Sequence, residues 1–415
     1  MKKGWTETTL RAVCLKTIQW KPKTEPRGDF YYIDVSAVSN DTFTITSPQA
    51  VTGTTAPGRA RKIVHTRDVI YATVRPTLRR IALVPSEYHD HIASTAFCVV
   101  RADRKFAVPE FLYFLLLSDQ ANNAIAEAQH GASYPAVTDK NIFKQEVSLP
   151  PLPEQKKIAA VLLKIQRAIE TQEKIIQSLR DLKKSTMQHL FTHGLRGEKT
   201  KMTEIGEIPE SWEVVRMEVL GEIVTGTTPP TKRPEYYEGG GYQFIAPADL
   251  GETTRIYRSE KEISGQGLAV SRVLPRHTAC FVCIGSSIGK VGITVAEAST
   301  SNQQINAIIP YHDFDPFFVT FLLLHRSAYI AGFASPSPVP ILSKGKFAEI
   351  LIPITRKQDE QKRIQECLLG IEDKIDLQES KKSALQNLFK TTLNKLMTGD
   401  IRVGDLDINV KEVEG

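Results

Sequence analysis

The stretch EQKKIAAVLLKIQRAIETQEKIIQSLRDLKKSTMQHL, residues 154–190, carries apolar side chains at Ile158, Leu162, Ile165, Ile169, Ile176 and Leu179. Steps of four and three place these along one seam of a helix, the pattern that packs against a partner helix. A second stretch, residues 360–396, repeats it with Ile364, Leu368, Ile371, Ile375 and Leu385. Aligned without a gap at an offset of 206, residues 154–196 and 360–402 share 17 identities in 43 pairs, which implies a tandem duplication. Pro153 lies just before the first stretch, and Gly194 and Gly399 stand where the periodicities stop, as expected of helix ends. At about 1.5 Å per residue each copy makes a rod of roughly 55 Å. A rod with one apolar stripe needs a surface to bury it. Its own copy is the nearest candidate, and because the chain must fold back between the two, antiparallel pairing is expected. Gln172 and Gln378 occupy the same seam position in the two copies and are expected to come within about a turn of each other near the middle of the pair, where polar residues fix register.

Working outward, residues 1 to about 150 contain short β-type runs, among them YYIDV from Tyr31, DVIYATV from Asp68, RIALV from Arg80 and FCVV from Phe97. A helix is predicted over Pro109 to Gln129, followed by an irregular GASYPAVT loop from Gly131. Residues 203–350 repeat the plan with CFVCIG from Cys280, KVGITVA from Lys290, INAII from Ile305, a helix near Asp315 to Tyr329 and the loop SPSPVPILS from Ser335. The expected fold class is therefore α+β, with two mostly β domains in tandem pseudo-repeat, separated and followed by long helices that pair as an antiparallel coiled coil. The expected boundaries are 1–150, a first spacer helix at 151–196, a second domain at 197–352, and a second helix with C-terminal tail at 353–415.

Hydrophobic content of 41% and charged content of 24% are ordinary for a globular chain. The opening MKKGWTETTL has no apolar core of the signal-peptide kind, and FLYFLLL from Phe111 is too short to span a bilayer, so a cytoplasmic location is expected. Five cysteines without a spaced framework fit free thiols. The pair in CFVC lies on a strand, where residues three apart face opposite ways, so no metal site is expected there. His189 and His193 have helical spacing without the intervening acid of HExxH, and no metal is expected there either. Net charge is +6, split as +5 over residues 1–148, +6 over 149–202, −4 over 203–350 and −1 over the remainder. Such a balance permits nucleic-acid binding, with any such surface on the second domain a local patch on an acidic body.

Several segments then carry a resemblance: IASTAF at 92–97, SLPPLPEQKKIA at 148–159, THGLRGEKTKMTEIGEIPESWEVV at 192–215, SNQQINAI at 301–308 and LMTGDIRV at 396–403. With the duplicated architecture, the chain resembles the specificity (S) subunit of type I DNA restriction-modification systems. One departure is ITRKQDEQKRI at 354–364, a charged segment where many relatives have a second proline-rich approach to the helix. The resemblance implies a non-catalytic subunit that reads double-stranded DNA, each domain taking one half of a bipartite target. It also implies two modification subunits that bind S-adenosylmethionine and methylate adenine, and restriction subunits that use ATP and Mg. No membrane partner is implied. The residues agree, with no FxGxG cofactor loop, no NPPY-type signature and no GxxxxGK[ST] loop. GSSIGK from Gly285 formally matches a GxSxG elbow, but the next run reads as a strand where that motif needs a helix. The alternative function is the recognition subunit of a type II-like methyltransferase and nuclease built on the same architecture.

Phosphate contacts want Lys and Arg in loops, and base reading wants Arg, Lys, Asn, Gln, Ser or Thr that reach groove edges. The candidate DNA-binding residues are Arg59, Arg61 and Lys62 in GRARK, and Arg75, Arg79 and Arg80 in the turn after DVIYATV. In the second domain they are Lys232 and Arg233 in TTPPTKRPEYY, Ser286 and Ser287 at the matching turn, and Asn302 and Gln303 in SNQQ. Asn302 and Gln303 could instead satisfy backbone groups inside the sheet.

Overall fold

The computed structural model describes residues 4–21, 25, 27–129, 135–251 and 253–413; the first half of the GASYPAVT loop, residues 131–134, lies outside them. The two periodic stretches form helices Leu152–His193 and Gln358–Thr398. Acidic residues occupy both first turns, Glu154 in one and Asp359 and Glu360 in the other, where the helix dipole favours negative charge. Gly194 and Gly399 end the rods at φ 67° and 74°, with their N–H groups donating to the carbonyls of Leu190 and Leu396. A left-handed residue at that point is the usual reason for glycine after a helix.

The chain divides into two compact units, Met1–Ile175 with Gln378–Gly415, and Ile176–Leu377. Each contains one β domain together with half of each rod.

In the first unit, one four-stranded sheet runs in the order Cys14–Leu15, Phe97–Ala102, Val69–Ala72, Ile81–Leu83. A second runs Gln49–Thr52, Asp29–Ile33, His91–Ser94, Ala60–Val64. Ile33, Val64, Ile70, Ala72, Phe97 and Val99 form one core cluster of this unit. The alternate residues Val69, Tyr71, Cys98 and Val100 belong to a larger core with Phe111 and Phe114, as the two-residue period of a strand buried on both faces requires. Ile158, Leu162 and Ile169 from the first rod and Phe389, Leu393 and Leu396 from the second complete that core, with Ile165 partly buried beside it. Strand Thr6–Thr9 pairs antiparallel with Glu146–Leu149, the last segment before the rod.

The second unit repeats the plan. Its larger sheet runs Gly221–Thr225, Ile305–Pro310, Ala279–Val282, Val291–Thr294, Arg255–Ile256, and its smaller one Lys261–Ile263, Tyr242–Ile245, Ala298–Ser301, Leu274–Pro275. Glu213–Arg216 pairs with Leu351–Ile354 as the counterpart of the strand pair before the first rod. Here Leu190, Phe191, Ile364 and Leu368 pack with Phe318, Phe321 and Leu322. Ile371 is nearly buried and Ile375 half-buried. Leu368 is fully buried, so Leu368→Ala should cost about 2–5 kcal/mol, read as a lower midpoint in a urea titration.

The rods run antiparallel within each unit, numbers rising on one as they fall on the other. In the first unit, Glu154 accepts two hydrogen bonds from the Arg402 guanidinium, at 2.7 and 2.8 Å, and Glu173 pairs with Lys382. In the second, Lys183 pairs with Glu372, and the Leu195 N–H donates to Glu360 at 3.3 Å. Gln172 adjoins Glu173, and Gln378 lies one turn before Lys382, so both glutamines sit on the same stretch of the first unit. Both are half-buried, and Oε1 of Gln172 is buried without a hydrogen-bond partner.

The shared Glu-Gln pair at the start of each rod has a structural use. Oε1 of Gln155 accepts from Val108 N at 2.9 Å while its amide donates to Phe106 O and Pro150 O at 3.1 and 2.9 Å. Gln361 does the same with Asp315 N, Asp313 O and Thr355 O at 2.8, 3.2 and 2.9 Å. Each glutamine thus staples the rod to the loop ahead of the domain's own buried helix, satisfying backbone groups that burial would otherwise leave orphaned. In the departing segment, the Thr355 hydroxyl donates to Glu360 at 2.8 Å, and the rod starts without a proline-rich approach.

Two helix expectations need correction. Residues 109–129 form two helices, Pro109–Leu117 and Asp119–Glu127, because Ser118 takes an extended conformation (ψ 151°) and its hydroxyl caps the second by accepting from Ala121 N. The counterpart breaks at Arg326 into Pro316–His325 and Ser327–Ala331.

Candidate nucleic-acid interface

In the first unit, strands Val69–Ala72 and Ile81–Leu83 are joined by a short connection. Arg75 (φ 48°, ψ 55°) and Arg79 (φ 51°, ψ 46°), both left-handed, bracket a single helical turn at Pro76–Leu78. Arg75 N donates to Pro135 O at 2.8 Å, and Val74 bridges Ala136. Thr73 donates both its N–H and its hydroxyl to Ala96 O at 2.8 Å, and Thr95 N donates to Arg59 O at 2.8 Å. These bonds gather Arg59, Thr95 and the 73–79 turn onto one edge of the domain. Pro76 is buried and anchors the turn, while Arg59, Arg75, Thr77 and Leu78 are exposed.

Four basic candidates of this unit have bonds within it that tie them to the fold. Lys62 is buried and ion-paired with Asp139. Arg61 turns back to Ala60 O at 2.6 Å, and Arg80 donates to the carbonyls of Val35 and Val38 at 3.1 and 2.6 Å. Arg79 pairs with Asp119 at 2.6 Å, and that hydrogen bond holds the Asp119 carboxyl below the usual carboxylate range. Asp119 also accepts from Asn394 on the second rod at 2.7 Å. The turn is therefore tied through Arg79 to a rod of its own unit.

The second unit builds the corresponding turn between Ala279–Val282 and Val291–Thr294, which pair antiparallel. Gly285 (φ 88°) and Gly289 (φ 96°) bracket Ser286, Ser287 and Ile288. Gly285 N donates to Pro340 O at 2.9 Å and Ile284 bridges Ile341, as Arg75 and Val74 do with Pro135 and Ala136. Ser286 is exposed and Ser287 half-buried. Beside the turn, Asn302 and Gln304 hydrogen-bond each other through Asn302 Nδ2 to Gln304 Oε1 and Gln304 N to Asn302 Oδ1, both at 3.0 Å. Asn302 is thus used locally. Gln303 is exposed, and its Oε1 accepts from the Thr228 hydroxyl at 2.6 Å. Gly226 lets the preceding loop approach: a Cβ there would stand 2.2 Å from Asn302 O. Lys232 and Arg233 lie further along that loop, both exposed, with Arg233 3.8 Å from Glu235 and over the Tyr236 ring.

Sequence reasoning misses Thr228 and Leu78, which carry no charge to mark them, and the tether from Arg79 to Asp119, whose partners are 40 residues apart. A strand follows Gly289, so Ser287 lies in a turn between strands, without the helix that a nucleophile elbow needs. Cys280 and Cys283 belong to different core clusters, and burial pushes both thiols up to about 12. Among the described residues no group of His, Cys, Asp and Glu is placed to hold a metal ion, and no helix is long and apolar enough to cross a membrane.

Comparison with known proteins gives the family. The sequence model of the type I restriction modification DNA specificity domain matches residues 2–181 and 209–387. The chain is 23% identical over 412 residues to the type I restriction enzyme HindI specificity subunit of Haemophilus influenzae, across 83% of this chain and 89% of that one. A structure solved in work on complex assembly and conformational transition of the type I R-M system is 28% identical, with a TM-score of 0.57 over 96% of this chain and 99% of the other. The type I restriction-modification S subunit from M. genitalium shares the fold, with a TM-score of 0.60 at 15% identity over 95% and 96% of the two chains. The family match falls once on each half of the duplicated plan and takes in most of the sequence, and this chain belongs to the type I restriction modification DNA specificity family.

Proposed function

We infer that the chain is the DNA-specificity subunit of a type I restriction-modification complex, with each β domain reading one half of a bipartite target. The rods set the spacer and dock the modification subunits. The observation that carries this reading is the contrast between the two units. Their scaffold residues coincide, down to the Gln155 and Gln361 staples, while the exposed turns built on that scaffold differ, RPTLR in one and GSSIG in the other. A duplicated frame with two unlike polar faces suits the reading of two unlike sequences.

Methyl transfer, ATP hydrolysis and cleavage then belong to the partner subunits, which bring S-adenosylmethionine, ATP and Mg. The chain's own contribution is binding and placement. The test is to sequence the methylated motifs of host DNA with and without this gene, and to assay the purified chain alone and with its modification subunits. A bipartite motif that depends on the gene is expected, with methylation appearing only when the modification subunits are added. Methyl transfer by the rigorously purified single chain would overturn the assignment.

A further inference from the structure

In the second unit, strands Ala298–Ser301 and Ile305–Pro310 are joined by three residues, Asn302, Gln303 and Gln304. The first unit joins His91–Ser94 to Phe97–Ala102 with two, Thr95 and Ala96. The frames on either side correspond. Phe97 pairs with Ala72 as Ile305 does with Val282, and Ala96 O accepts from Thr73 N as Gln304 O does from Cys283 N, both at 2.8 Å. The second unit therefore inserts one residue between Ser301 and Gln304, in a frame that the first unit closes without it.

The insertion holds Gln303 outward. Asn302 N donates to Ile245 O at 3.0 Å, and Asn302 and Gln304 are bonded to each other on either side of Gln303. Gln303 is exposed between them, and its Oε1 accepts from the Thr228 hydroxyl at 2.6 Å. Thr228 is itself held. Pro229 behind it is buried, with its carbonyl taken by the Tyr237 hydroxyl at 2.7 Å, and a residue before proline is pushed toward extended conformations. Ahead of it, Arg272 donates its guanidinium to Thr225 O at 2.7 Å and its backbone N–H to the Thr227 hydroxyl at 3.2 Å. The insertion adjoins the 285–289 turn, since a Cβ on Gly285 would lie 4.0 Å from Gln304 Nε2.

A primary amide has two acceptor lone pairs on its oxygen and two N–H donors. The bond from Thr228 uses a single lone pair and fixes the plane of the group. A donor beside an acceptor remains, the pattern that matches N7 and N6 of adenine in the major groove. Guanine presents two acceptors on the same edge and would leave the amide oxygen facing O6. A phosphate has no donor for that oxygen, so a fixed glutamine plane gains nothing there.

We propose that Gln303 reads an adenine edge in the half-site bound by the second unit, with Thr228 as the positioning residue that holds its amide plane. This rests on the DNA-specificity reading and deepens it by naming one reading element and its base.

The test uses the full chain assembled with its modification subunits. For the wild type, 7-deazaadenine is placed at each adenine of the target in turn, which removes N7 and leaves base pairing intact. Gln303→Ala should bind the unmodified cognate duplex roughly 10- to 100-fold more weakly, with binding to a random duplex changed far less. It should also be indifferent to 7-deazaadenine at one position where the wild type loses roughly 3- to 10-fold. The methylated motif in cells should lose definition at that A·T pair, with the other half-site unchanged. Thr228→Val should blunt the response at the same adenine with a smaller loss of affinity, and Thr228→Ser, which keeps the hydroxyl, should restore it. A wild type insensitive to 7-deazaadenine at every adenine would overturn the proposal, as would Gln303→Ala that keeps every sensitivity of the wild type. Equal losses on cognate and random duplexes would overturn it too, since those mark a phosphate contact. Thr228→Val indistinguishable from wild type, or Thr228→Ser no better than Thr228→Val, would overturn the role of the hydroxyl. A wild-type complex with no preference among duplexes would instead overturn the DNA-specificity reading itself, before any variant is compared.

Discussion

Lys183→Met should lower the stability of the protein by about 3–5 kcal/mol, a drop of roughly 6–20 °C in melting temperature at about 2–4 °C per kcal/mol for a unit of this size. Lys183 projects from the first rod to Glu372 on the second, and the Glu372 side chain is only 9% exposed. The Thr254 hydroxyl from the β domain also donates to Glu372, and Lys183 Nζ lies 3.2 Å from the same hydroxyl and over the Phe321 ring. Two rods and a domain of the second unit meet at this one carboxylate. Removing the ammonium leaves a buried charge facing a single hydroxyl, with further negative charge near. Burial, followed by the Glu372 charge, raises the Asp376 carboxyl, and Arg255 pairs with Asp373 at 2.6 Å. The double variant Lys183→Met with Glu372→Leu removes both charges and should recover most of the loss, because a buried pair is worth little net against an apolar replacement. Melting curves of the single and double variants check this. A single variant as stable as the double one would show that Glu372 does not depend on Lys183.

The contrast between the rods and the reading surface shows what a sequence makes legible. Ile158, Leu162, Ile364 and Leu368 announce themselves by helical period, and an ungapped repeat is enough to pair the two rods. Cys280 and Cys283 are equally readable, because strand geometry alone sends residues three apart to opposite faces. Lys62 is not. GRARK looks like one basic patch, but on strand Ala60–Val64 it alternates, and Lys62 points inward to Asp139, 77 residues away. Arg80 is lost in the same way, to carbonyls more than 40 residues distant. Local charge reports composition, and which cations remain outward is settled by long-range partners. The helix break at Ser118 has a local signal in Ser-Asp, a capping pair, but the apolar run before it outweighs that signal. The left-handed conformation of Arg75 and Arg79 has no signal in their own residue type. It becomes visible only when their spacing of four is set beside that of Gly285 and Gly289.

Acid should destabilise the second unit through His325. This residue ends helix Pro316–His325, and its ring stacks on Phe191 with centroids 5.1 Å apart and planes 15° from parallel. Burial, with a smaller push from the neighbouring Arg326 charge, lowers its pKa from 6.5 to about 4. A helix C-terminus would favour the imidazolium, so burial outweighs the dipole here. Because the folded value lies below the unfolded one, the unfolded chain binds more protons between the two, and stability must rise with pH across that interval. The contribution is complete above about pH 6.5 and is lost as pH falls toward 4. At about 1.4 kcal/mol per pH unit this amounts to roughly 2 kcal/mol by pH 5 and about 3 kcal/mol in full. Asp119 and Glu154 of the first unit, whose folded values are also depressed, lose their contributions as pH falls from their ordinary values of 3.8 and 4.5 through the folded ones. His65 and His91, lowered chiefly by burial, add a slope of the same sign from the first unit, so the wild-type slope alone does not isolate His325. His325→Phe does, since it keeps an aromatic ring against Phe191 and cannot titrate. Urea titrations at about pH 7.5 and 5.0 should show the wild type losing about 2 kcal/mol more than the variant over that interval. Equal losses in the two proteins would mean that His325 takes up its proton in the folded chain as readily as in the unfolded one, and that its burial against Phe191 does not hold in solution.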